Sequence, residues 1–135
     1  MRIKRLLVLL LIFATACRPP TPAEQLDSAL SWIGTAGMAG NAWLRHTAPD
    51  TYTRQTLRLS HEKIGQISDD LLKSPPLGRA SASINAVLTR SRKRIARMEA
   101  LITAKNAPAF ARELGSLRAD QRLVKRISDR IESDE

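Results

Sequence analysis

Prolines at positions 22, 49, 75, 76 and 108 cut the chain into successive stretches of helical length. Proline fixes φ and lacks the N–H that a helix interior uses, so it favours helix starts and the turns between helices. Between these breaks apolar residues recur at three- and four-residue steps, the period of one helix face. The first stretch carries Leu26, Ala29, Leu30, Ile33, Gly37, Gly40 and Leu44 on one stripe, and the second carries Leu57, Ser60, Ile64, Ile67 and Leu71. In the third the stripe runs from Ala80 through Ile84, Leu88, Ser91 and Ile95 to Ile102. In the fourth it runs from Phe110 through Leu114, Leu117 and Val124 to Ile131. Four amphipathic segments joined by short turns predict an all-α fold, a small antiparallel bundle of four helices.

The expected boundaries follow from local chemistry. Thr21-Pro22-Ala23-Glu24 is a capping box with proline at the first helical position. Later segments are expected over about 50–73, 77–105 and 108–133. Gly34, Gly37 and Gly40 interrupt the first segment, each costing about 1 kcal/mol against alanine inside a helix. Such a row suits close approach by another helix or a ligand, a tight crossing inside the fold, or a break between two shorter helices. A break would leave a three-helix domain with its first helix detached. Trp32 and Trp43, eleven residues apart, fall on an adjacent face, so Trp32, Gly37, Gly40 and Trp43 form a candidate partner face.

The segment before the bundle has a different character. Arg2, Lys4 and Arg5 precede an apolar run from Leu6 to Phe13, followed by Ala14-Thr15-Ala16 and the single cysteine, Cys17. Cations, a short apolar run and a small-residue exit are the parts of an export signal. The run is far short of the ~20 apolar residues that a spanning helix needs. These seventeen residues resemble the bacterial lipoprotein class, whose lipobox ends in a small residue followed by Cys; Ala14 stands where Leu is usual. The resemblance implies diacylglycerol on the Cys17 thiol, cleavage after Ala16, and acylation (palmitate) of the new Cys17 amine. It implies a cleaved signal peptide over 1–16, a lipidated Cys and Pro-rich tether over 17–22, and a bundle domain over 23–135. Two or three acyl chains anchor a protein stably to a membrane where one does not. By resemblance to enterobacterial lipoproteins, Arg18 rather than Asp after the cysteine implies the periplasmic face of the outer membrane.

Cleavage would also change the charge. The full chain has 22 Lys and Arg against 13 acids, and removing 1–16 takes away three cations, leaving a net charge of +6. Arg79, Arg90, Lys93, Arg94 and Arg97 cluster on the third segment, away from its apolar stripe. One reading is attraction to anionic lipid head groups or an envelope polymer, at about 1 kcal/mol per cation near a charged surface. The other is a solvated helix face paired with Asp or Glu of a neighbouring helix. Export would separate the protein from nucleic acid, which is therefore not an expected partner.

Catalytic patterns are missing. His46 and His61 stand in different segments without the companions a metal site requires. Asp69 and Asp70 are adjacent and so diverge by about 100° on a helix. G-x-S-x-G does not occur. The expectation is no cofactor, no metal and no enzyme: a membrane-anchored binding or structural module of the bacterial cell envelope, with an envelope protein or anionic polymer as partner. The alternatives are a small-ligand carrier with a cavity of about 300 Å³ or more against Trp32 and Trp43, and an envelope enzyme with an unrecognised site.

Overall fold

Thr21 starts the first helix as the capping box requires. Its Oγ1 accepts from the Glu24 N–H at 3.2 Å, while its own N–H donates to the Glu24 carboxylate at 2.9 Å. That backbone donor, followed by the charge of Arg18, holds the Glu24 carboxyl below its ordinary value. The computed structural model describes residues 18–73 and 80–134, so the expected signal peptide, Cys17 and Arg79 lie outside the described residues. Within them the chain forms α1 (Pro22–Leu44), α2 (Asp50–Lys73), α3 (Ala80–Thr103) and α4 (Ala107–Ser133). The glycine row lies inside an unbroken α1. The first helix is therefore continuous and part of a four-helix bundle.

The turns α1–α2 and α3–α4 share one solution. After α1, His46 takes φ 59° and the Thr47 N–H reaches back to the Ala42 carbonyl. After α3, Lys105 takes φ 52° and the Asn106 N–H reaches back to Leu101. Both are left-handed caps that satisfy carbonyls left over at a helix end. The Lys105 conformation also explains why α3 ends at Thr103, two residues before the sequence-based expectation. Asn106 then caps α4 by accepting from the Ala109 N–H at 3.1 Å.

Contacts between helices fix the topology. Arg58 pairs with Glu99 and Ser68 meets Asn85, so α2 and α3 run antiparallel. Gly40 lies against Phe110 and Asp27 against Ser128, so α1 and α4 do too. Each helix packs on its two neighbours around a ring, and the diagonal pair α1 and α3 touches only lightly. The core holds Leu26, Ile33, Leu57, Ile64, Leu88, Ile95, Met98, Ile102, Phe110, Leu117 and Val124. Hydroxyls on buried faces are satisfied locally: Thr53, Ser60 and Ser91 donate to the carbonyls of Pro49, Thr56 and Val87.

One detail differs from the stripe read in the first segment. Ala36 and Ala39 are buried, while Gly37 stands at the edge of the core with nothing within 4 Å of where a Cβ would be. Gly40 is the packing glycine: a Cβ there would lie 3.1 Å from both the Phe110 ring and Met98 Cε.

Candidate functional site

The basic cluster of α3 faces α4. Asp120, almost completely buried, accepts from Arg90 Nε and Arg94 Nε at 2.9 Å each, and Arg90 Nη2 lies 2.7 Å from the same carboxylate. Glu113, about two turns earlier on α4, takes Arg97 at 2.8 Å and Arg94 at 3.4 Å. Three of the candidate cations are thus drawn onto two acids, because antiparallel packing sets 90, 94 and 97 opposite 120 and 113. Lys93 remains exposed. The pairing was one of the two readings of this face; the particular acid was not anticipated. Its signal was present in the sequence, since Asp120 sits three residues after Leu117 and four before Val124, on the apolar stripe itself.

The candidate partner face is divided by the fold. Trp43 stacks obliquely on Phe110, with ring centroids 4.6 Å apart, and its Nε1 donates to Asp50 at 2.7 Å. Gly40 is covered by Phe110 and Met98, and Trp32 is half-buried against the core. Only Gly37 opens outward. Beside Trp43 a depression of about 260 Å³ is lined by Leu44, His46, Asp50, Lys105 and Ala107.

Gly37 lies in a trough between α1 and α4. One part, about 470 Å³, is lined by residues including Gly34, Gly37, Met38, Arg118 and Gln121; the next, about 490 Å³, by Leu30, Gln121, Arg122, Lys125 and Arg126. The two adjoin at Leu30 and Gln121, which line both, and together are called the trough. Every ionisable side chain lining it is a cation.

Charge is also distributed unevenly along the bundle axis. The end farthest from Thr21, residues 34–61 and 92–118, carries ten Lys and Arg against three acids; the remaining described half carries eight against nine. At 1.5 Å per residue the helices are about 35–40 Å long, so this is a separation of charge over tens of ångströms. Long-range attraction of an anionic partner therefore acts mainly on the far end.

His61 lies at the α2–α3 seam. Burial, and after it the charge of Arg92, lowers its pKa below the ordinary 6.5, against weaker opposition from Glu62 and Glu99. The Arg92 guanidinium covers Gly65, where a Cβ would lie 2.8 Å from it. Since the folded pKa is depressed, this group's contribution to stability is present above 6.5 and is lost as pH falls from 6.5 through the folded value. An NMR titration is expected to find His61 titrating below 6.5, with Arg92→Gln moving it up toward that value. An unmoved titration would show that the Arg92 charge does not act on this ring.

Among the described residues no helix is long and apolar enough to cross a membrane, and no three His, Cys, Asp or Glu converge as metal ligands. Comparison of the chain with protein families, with curated proteins and with solved structures finds no match.

Proposed function

We propose that the chain is a lipid-anchored protein of the bacterial cell envelope, held to the membrane by acylated Cys17, that serves as a binding module for an anionic partner. The observation that carries the binding role is the charge layout. The bundle end beside the tether is nearly balanced, while the end it holds away from the membrane is strongly cationic. The anchor reading rests on the lipobox-like residues before Cys17 and is supported by where the helices begin. Thr21 caps α1 four residues after Cys17. Arg18–Thr21, extended at ~3.1 Å per residue, keeps that end of the bundle within about 10–15 Å of the lipid. Arg18 after the cysteine favours sorting to the periplasmic face of the outer membrane.

Intact mass of the protein isolated from membranes tests the anchor. The expected result is residues 17–135 plus acyl groups, with the acyl mass lost in Cys17→Ser. A mass that retains residues 1–16, or that lacks acyl groups, would remove the lipid-anchor reading.

A further inference from the structure

The α1–α4 trough combines three properties. Its floor is low at Gly34 and Gly37, flanked by the apolar Leu30 and Met38, the latter 70% exposed, with the uncharged Ser31, Thr35, Asn41 and Gln121 beside them. Its wall is cationic. Arg118, Arg122 and Arg126 follow at i, i+4 and i+8 on α4, one row of a helix, and none has an ion-pair partner among the described residues. Its shape is open and concave along the seam. From Leu30 to Asn41 it is about 16 Å long, close to three turns of helix.

We propose that this trough is the docking site for an acidic amphipathic helix of a partner protein. Such a helix would lay its apolar face on Leu30, Met38 and the glycine floor. Its carboxylates, at four-residue spacing, would meet the row of Arg118, Arg122 and Arg126. This is the helix-in-groove mode of recognition, in which one side of the ligand supplies apolar anchors and the other charge. Gly37 explains itself in this arrangement. A residue with a side chain would fill the floor, and glycine stands mid-helix at a cost of about 1 kcal/mol although no neighbour lies within 4 Å of where a Cβ would be. A carbohydrate polymer would use the cations and leave Leu30 and Met38 uncovered, and a flat membrane surface would not follow the concavity. The proposal deepens the binding-module reading and rests on it, but it does not depend on the anchor at Cys17.

The test uses the full-length protein in non-ionic detergent and a labelled three-heptad peptide with Leu at a and d and Glu at e and g. Fluorescence anisotropy is expected to show saturable one-site binding that weakens with salt. Two variants separate the components. Gly37→Leu fills the floor without touching the core, so its melting temperature should hold or rise while the peptide affinity falls roughly tenfold or more. The triple variant R118Q/R122Q/R126Q should lose affinity similarly and lose the salt dependence, whereas Arg112→Gln, on the same helix outside the trough, should bind as wild type. Absence of saturable binding, or binding indifferent to Gly37→Leu, would overturn the proposal. So would binding of phosphatidylglycerol vesicles through these arginines with no binding of the peptide, which would assign the surface to lipid. The mass measurement on Cys17 is independent, so failure of either reading is recognisable by itself.

Discussion

Replacing Phe110 with alanine is expected to lower stability by about 3–5 kcal/mol, the range for truncating a buried aromatic when the surroundings collapse only in part. Phe110 is fully buried at the start of α4, touches the ring of Trp43, and covers Gly40. For a domain of this size about 4 °C accompanies each kcal/mol, so the thermal midpoint should fall by roughly 12–20 °C, followed by circular dichroism. Trp43 emission should shift to the red as its partner is removed. A companion change checks the geometry. Gly40→Ala in the wild type gains helix propensity but places a Cβ 3.1 Å from the Phe110 ring. In the Phe110→Ala background the ring is gone and only the flexible end of Met98 stays at 3.1 Å, so the same change should be more favourable than in the wild type. Additive effects in this double-mutant cycle would show that the two residues do not meet.

The second large effect is expected at Asp120. Asp120→Asn keeps the shape but turns a carboxylate that receives two guanidinium groups into an amide that presents donors to donors. Breaking a buried ion pair by removing one partner costs about 3–5 kcal/mol. The low end, about 3 kcal/mol, is appropriate because the Arg90 side chain is 47% exposed and that of Arg94 25%, so both can turn toward water. Glu113→Gln should cost about 1 kcal/mol or less, since its firmer partner Arg97 is well exposed. Urea unfolding with an unchanged m-value would give both numbers. An Asp120→Asn change near zero would mean that the two arginines are not held by this carboxylate.

These two sites mark where the fold was legible and where it was not. Phe110 lay on an apolar stripe of clear helical period, so its place inside the bundle followed from spacing. The Thr21 cap was equally plain, because threonine, proline and glutamate stand at fixed offsets. Rotation of α1 was harder to fix. Gly37, Ala36 and Ala39 are all small, so the hydrophobic contrast that orients a helix is weak there, and burial fell on the alanines. The ends of α1 and α3 were obscured because His46 and Lys105, rather than glycine, hold the left-handed caps. Asp120 was hidden by its type. A carboxylate counts as polar in any periodicity, and its burial becomes reasonable only when α3 brings two arginines to it. The trough was missed for a related reason: the row Arg118, Arg122 and Arg126 was present, but the glycines that complete it belong to a helix some eighty residues earlier.

The seam between α1 and α4 has a further consequence for how the molecule comes into being. Asp27 and Ser128, which meet across it, are separated by 101 positions in the chain. The other three seams join helices consecutive in sequence, whose loops close at low entropic cost. A ribosome delivers α1 first and α4 last, so α1 waits, one flank uncovered, until the final 27-residue helix has emerged. Closure of this one long-range seam is therefore expected to be the latest event of folding and the step that sets its rate. A nascent chain halted before Ala107 would expose Ile33, Ala36 and Gly40 to whatever else is nearby.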